Sequence, residues 1–179
     1  YKAAPISDQS ATVAVKVIRE EFGNDPVQRK RFLHEAQIID QLDHPHIVKV
    51  YERGEHNSRL YIAMEILDGH SLAEEIKSKT PISIPRCIEI IKQLVRTIND
   101  IHEKGIIHRD IKPENIILIN HPDSDCYVKI LDFGLAKQSN LTQLTQSGEI
   151  LGTINYLPPE YISSQSYSFS GDIYSLGAV

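Results

Sequence analysis

The run His108-Arg109-Asp110-Ile111-Lys112-Pro113-Glu114-Asn115 places seven polar or turn-forming residues and one isoleucine between two apolar segments. Asp110 and Asn115 stand five apart, with Lys112 between them. Seventeen residues after Asn115 comes Asp132-Phe133-Gly134, directly behind a strand-like run. Asp and Asn offer hard oxygen ligands of the kind Mg²⁺ takes. A surface loop can be equally polar without this order, and Asp-Phe-Gly alone is a common turn. The two segments in sequence, with Val13-Ala14-Val15-Lys16 upstream, are far more specific.

Two further charges sit where apolar residues are expected. Lys16 interrupts a β-branched strand. At 100° per residue, Glu35 shares a helix face with Phe32, Ile39 and Leu42. A carboxylate on a core face requires a positive partner, and Lys16 is the candidate. The alternative is a glutamate at the rim of the apolar stripe and a lysine that snorkels outward.

The elements that must hold these residues can be read from periodicity and punctuation. Thr12 to Ile18 reads as a strand. Asp25-Pro26 opens a helix carrying Phe32, Ala36, Ile39 and Leu42, and Asp43-His44-Pro45 closes it. Strand-like runs follow at 47–51 and 60–67, with a polar turn around Gly54 to Asn57. Asp68-Gly69 reads as a turn, and Ser71-Leu72-Ala73-Glu74 fits a capping box. Ser83 opens a longer helix with Cys87, Ile88, Ile91, Leu94, Val95, Ile98 and Ile101 at helical spacing, and Gly105 is its stop signal. Short apolar strands are expected at 116–119 and 127–131, then a polar Ser/Thr/Gln-rich loop at 137–152. Pro158-Pro159 restarts structure, and an apolar helix begins at Asp172. Strands dominate the first third and helices the rest, which gives a small β-rich lobe followed by an α-rich one.

Composition fits a globular protein. The 179 residues are 41% hydrophobic and 24% charged, with a net charge of −5. These values exclude disordered, collagenous and disulfide-scaffold classes. The mild acidity argues against a generic nucleic-acid or anionic-membrane surface. Cys87 and Cys126 form no C-x-x-C pair, and no apolar run is long enough to span a bilayer. The first residues carry no signal-peptide pattern, and both ends read as cut.

On these segments the chain resembles a eukaryotic-type (Hanks-type) serine/threonine protein kinase catalytic domain, most like bacterial members. Val13 to Lys16 is similar to the lysine strand, Glu35 to the glutamate of the αC helix, and 108–115 to the catalytic loop. Asp132-Phe133-Gly134 is similar to the DFG motif, Pro158-Pro159-Glu160 to the APE motif, and Asp172 to Gly177 to the start of the αF helix. Lys112 and Gly152-Thr153-x-x-Tyr156 match the serine/threonine branch.

The resemblance implies an α+β two-lobed fold, with an N-lobe over 1–66 and a partial C-lobe over 67–179. It implies ATP and Mg²⁺ as cofactors, protein substrates, self-phosphorylation in trans and a cytoplasmic location, including that of a membrane-anchored kinase's cytoplasmic domain. Lys16, oriented by Glu35, would hold the α/β-phosphates. Asn115 and Asp132 would hold Mg²⁺, Asp110 would take the substrate hydroxyl proton, and Lys112 would stabilise the moving phosphoryl group. Met64 would back the adenine pocket, the Glu65 and Leu67 backbones would bond the adenine edge, and Ala14 and Ile117 would sandwich the ring. Arg109 would receive a phosphate placed on Thr145 or Ser147.

The sequence also departs from the family pattern. No G-x-G-x-x-G is present; its place would lie just before Tyr1, and proline replaces the alanine of APE. A catalytically silent scaffolding module and a small-molecule phosphotransferase are the rival classes. The intact Lys16, Glu35, Asp110, Asn115 and Asp132 disfavour the first, and the Thr153 to Glu160 segment disfavours the second.

Overall fold

The computed structural model describes residues 1–3, 12–17, 26, 29–30, 32–33, 37, 42–57, 59–78, 80–121, 124–133, 154–164 and 166–179. Glu35, Thr145 and Ser147 lie outside the described residues, as do Ala36, Ile39 and Gly134.

Four antiparallel strands make the first sheet: β1 (Lys2–Ala3), β2 (Val13–Val17), β3 (Val50–His56) and β4 (Arg59–Glu65), in the order β1-β2-β4-β3. The valines at 13, 15 and 17 give β2 its pleat preference. Ala14 lies opposite Met64 and Lys16 opposite Ile62. Directly opposed residues share a face, so Ala14, Lys16, Ile62 and Met64 emerge on one side. Phe32, helical as expected, packs there against Leu60 and Ile62, with Met64 at the margin.

The β3–β4 hairpin turns later than the sequence suggested. Gly54 stays in the strand opposite Tyr61, and Asn57 turns the chain with φ 49°. Gly54 is read as a turn residue from composition, but its role is steric: a Cβ there would lie 2.7 Å from the Tyr61 hydroxyl. Gly69 repeats the lesson. It belongs to β5 (Gly69–Ser71), which pairs with β6 (Ile116–His121), and a Cβ would meet the Leu118 carbonyl at 2.1 Å. β7 (Ser124–Ile130) completes this second sheet, ordered β5-β6-β7.

Helix α1 (Leu72–Lys77) opens on the expected capping box: Ser71 Oγ accepts from the Glu74 N–H, and the Glu74 carboxylate accepts from the Ser71 N–H. Helix α2 (Ile84–Glu103) begins after Ser83 with Pro85 in its first turn. It ends at Lys104, and Gly105 follows with φ 74°, the left-handed conformation that suits glycine.

The α2 apolar set divides into two stripes. Ile90, Leu94, Ile98 and Ile101 are buried in the larger core, whereas Ile88, Ile91 and Val95 remain about half exposed. Each fully buried aliphatic side chain contributes roughly 1.5–3 kcal/mol. Gln93 fastens α2 to β7 in the manner of a peptide group: its Nε2 donates to the Cys126 carbonyl and its Oε1 accepts from Val128 N–H. Helices α3 (Pro159–Ser164) and α4 (Phe169–Ala178) follow. Among the described residues no helix is long and apolar enough to cross a membrane.

The connection between Phe32's helical segment and β3 is pinned to the larger unit. Leu42 and Ile47 are buried in the same core as Leu94, Ile98 and Phe133. Ile47 bridges Ile130, Val48 N–H donates to the Ile130 carbonyl, and Ile130 N–H donates to the His46 carbonyl. His44 and His46 add side-chain bonds to Asp100 and to the Val128 carbonyl. Residues 47–49, read as strand from their β-branched content, serve instead as this seam.

Candidate active site

His108 to Asn115 joins α2 to β6, and its backbone is set by buried groups on either side. The Asp172 carboxylate, fully buried at the start of α4, accepts from His108 N–H and Arg109 N–H at 2.8 Å each. It also faces His102 Nε2 at 2.8 Å and Tyr167 Oη at 3.2 Å. Arg109 has φ 69°, a left-handed conformation that costs a non-glycine residue about 1–3 kcal/mol unless its surroundings enforce it. The bond from its N–H to Asp172 is that enforcement.

His108 is a structural imidazole. Its Nδ1 accepts from Asp110 N–H, so its Nε2 carries the proton and donates to the Leu131 carbonyl at 3.0 Å. Complete burial pushes its pKa below the ordinary value, against the pull of Asp172 and Asp110. Phe133 stacks on it with ring centres 4.6 Å apart. One neutral ring thus links the catalytic-loop segment to the strand end that carries Asp132.

The expected reactive residues converge around this scaffold. Asp110 is 8% exposed; its Oδ2 accepts from Asn115 Nδ2 at 2.7 Å and pairs with Lys112 Nζ at 3.3 Å. Asn115 Nδ2 also donates to the Asp110 carbonyl at 2.8 Å. A short 3₁₀ turn, Pro113–Asn115, brings Asn115 back over Asp110. Asp132 lies alongside, because Leu131 N–H donates to the Asn115 carbonyl at 2.8 Å. Lys16 Nζ reaches across from the first sheet to Asp132 Oδ1 at 2.7 Å. The expected Lys16–Glu35 pairing involves a residue outside the described ones; the described partner of Lys16 is Asp132.

The expected adenine-side residues lie on the strands flanking this cluster. Ala14 and Met64 are opposed on β2 and β4, and Ile117 is half-buried on β6. Glu65 ends β4, and Leu67 lies in the connection that leads to β5 of the second sheet. Glu65 N–H is committed to the Lys49 carbonyl at 2.9 Å. Its carboxylate accepts from Lys49 N–H at 2.7 Å and is paired with Lys129 of β7. Lys129, paired with Glu65, and Asp172, which holds the His108–Arg109 backbone, are residues at this site that the sequence reading gave no role. Asp172 had a signal, a lone charge in an otherwise uncharged helix, although that helix opens at Phe169 and not, as expected, at Asp172. Lys129 had none, since a lysine in a half-exposed strand is ordinary.

The donor set suits a magnesium nucleotide. Among the described residues no group of three or more His, Cys, Asp or Glu side chains forms a cage. Asn115 spends its amide nitrogen on Asp110, so its amide oxygen is the atom that could bind a cation, and Asp132 could add a carboxylate oxygen. One or two protein oxygens completed by phosphates and water is how Mg²⁺ is usually held.

Residues 2–179 match the family described as "Protein kinase domain". The probable serine/threonine-protein kinase PknB of Lactococcus lactis is 38% identical over 167 residues, covering 93% of this chain and 26% of its own length. The serine/threonine-protein kinase PrkC of Bacillus subtilis is 39% identical over 167 residues, with 93% and 25% covered. The crystal structure of the Mycobacterium tuberculosis PknI kinase domain superposes with a TM-score of 0.74 at 25% identity, over 98% of this chain and 62% of that one. Rad53 1-466 in complex with AMP-PNP gives 0.71 at 30% identity, over 93% and 39%.

The fold is that of a protein kinase. The chain belongs to the protein kinase family, in the serine/threonine, Hanks-type branch that includes these bacterial enzymes. It spans about a quarter of the length of the curated relatives it matches.

Proposed function

We propose that the protein transfers the γ-phosphoryl group of ATP, with Mg²⁺, to serine or threonine hydroxyls of protein substrates. The observation that carries this reading is the Asp110–Asn115–Lys112 cluster facing the Lys16–Asp132 pair. Phosphoryl transfer leaves little covalent chemistry to the protein, so positioning and charge stabilisation dominate.

In this reading Asp110 accepts the hydroxyl proton of the substrate, and its orientation is held by Asn115. Lys112 carries positive charge to the transferring group. Lys16 holds the α/β-phosphates, with Glu35 as its orienting partner, and exchanges part of its bond to Asp132 for them. Mg²⁺, held by Asn115 and Asp132, neutralises phosphate charge when bound. Ala14, Met64 and Ile117 wall the adenine site. The Glu65 amide is already used, so its carbonyl and the Leu67 backbone present the edge contacts. The two free thiols, Cys87 and Cys126, fit a cytoplasmic setting.

The proposal extends to regulation by self-phosphorylation in trans, with Arg109 as the residue that would receive the phosphate. Among the described residues its Nε is buried and makes no hydrogen bond. A guanidinium can bond a phosphate bidentately, and Thr145 and Ser147 are the candidate carriers. The test is incubation of the full-length protein with Mg-ATP and a generic protein substrate, followed by phosphosite mapping. Phosphoserine and phosphothreonine on the substrate, with phosphate on Thr145 or Ser147, are expected. Phosphotyrosine alone, or no transfer, would refute the reading.

A further inference from the structure

The Asp172 carboxylate holds the His108–Arg109 backbone, and the Ser175 hydroxyl holds the turn Ile154–Tyr156. Ser175 donates to the Tyr156 carbonyl at 2.6 Å, and its oxygen lies 2.9 Å from the Gly171 carbonyl. Tyr156 ends the 3₁₀ turn Ile154–Tyr156, which follows Gly152-Thr153 in the sequence. Tyr167 Oη stands 3.2 Å from Asp172 Oδ1 and 3.2 Å from Ser175 Oγ. Its single proton is therefore shared between the carboxylate that fixes His108 and Arg109 and the hydroxyl that fixes Tyr156.

The ring is held in this place. Tyr161 packs edge-on at 5.6 Å. Gly171, inside α4, has no Cβ; one built there would lie 2.7 Å from the Tyr167 ring. The missing Cβ makes room for the phenol. Burial and the Asp172 charge push the Tyr167 pKa well above its ordinary range, so the hydroxyl stays a donor.

We propose that Tyr167 is a positioning residue that couples the catalytic loop to the turn Ile154–Tyr156 through its shared hydroxyl. The coupling rests on the kinase reading only for what the two segments do, since the hydrogen-bond chain itself is geometric. It runs Arg109 N–H, Asp172, Tyr167, Ser175, Tyr156 carbonyl. Losing the phenol oxygen removes one link from both ends at once.

The test is Tyr167→Phe in the full-length protein, which removes one oxygen and keeps the ring. The expected result is a roughly tenfold fall in kcat, the worth of about one hydrogen bond to a charged group. KM for ATP should change less than about twofold, since no nucleotide contact is touched. Amide hydrogen exchange should accelerate in both 107–111 and 154–157. Ser175→Ala should accelerate 154–157, and the double variant should lower kcat less than the product of the two single effects. Tyr167→Phe with kcat within about twofold of wild type, or with faster exchange in only one segment, overturns the coupling. If the wild type transfers no phosphate the kinase reading falls, and the exchange measurement alone still decides the coupling.

Discussion

Lys16→Met separates a functional charge from a structural one. Lys16 and Asp132 meet at 2.7 Å, yet their side chains keep 36% and 42% exposure. An ion pair this open to solvent contributes about 0–1 kcal/mol to folding. Methionine retains much of the lysine stem and its packing on β2. Stability should therefore fall by no more than about 1 kcal/mol, a shift of roughly 2–4 °C in the melting temperature of a domain this size. Phosphate positioning has no such substitute. Transfer should fall at least about a hundredfold, or about 2.7 kcal/mol of transition-state stabilisation. The assay is a thermal melt of the full-length protein beside its initial rate with Mg-ATP and a protein substrate. Transfer within about threefold of wild type would refute the phosphate role. A melting temperature lower by more than about 10 °C would instead make Lys16 a folding residue.

Asp172→Asn should lose both stability and rate. One amide oxygen cannot serve two backbone N–H groups, a histidine and a tyrosine, and breaking a buried charge network costs about 3–5 kcal/mol; differential scanning calorimetry should show a drop of about 6–20 °C. The buried, neutral His108 gives an acid-side dependence. Its folded pKa lies below its unfolded value, so its contribution is present above about pH 6.5 and is lost as pH falls towards the folded pKa, by up to about 1.4 kcal/mol per pH unit. Histidine-ring NMR should find His108 still neutral at a pH where solvent-exposed histidines have protonated; protonation alongside them would contradict the assignment. Lys129→Met leaves the Glu65 carboxylate without its ammonium beside the proposed adenine edge. Steady-state kinetics should show KM for ATP rising about tenfold with kcat within about threefold, and Lys129→Arg should restore it.

Local chemistry was readable where its cause is local. Ser71 and Glu74 form the capping box their spacing announces, Gly105 takes the left-handed stop, and Asp110, Lys112 and Asn115 meet because they share one eight-residue loop. What the sequence concealed depends on contacts across the fold. Gly69 reads as a turn until the Leu118 carbonyl is found in the space a Cβ would fill. Ile47 has strand composition, but its neighbours are Ile130 and the larger core. Asp172 is 64 residues from His108, the first of the two backbone amides it holds, so no spacing rule connects them. The two stripes of α2 are both apolar, and only packing distinguishes Leu94 from Val95.

The most direct measurement is a pair of readings on Asp110→Asn in the full-length protein: affinity for Mg-ATP by calorimetry, and transfer of labelled phosphate to serine or threonine. Asp110 bonds Asn115 and Lys112 but lies on the substrate side of the metal ligands in the proposed chemistry. Nucleotide affinity should stay within about threefold of wild type, while transfer falls by about a thousandfold or more. Transfer that persists at the wild-type rate, or a loss of nucleotide binding equal to that of Asp132→Asn, would contradict the assignment of Asp110 as the catalytic base.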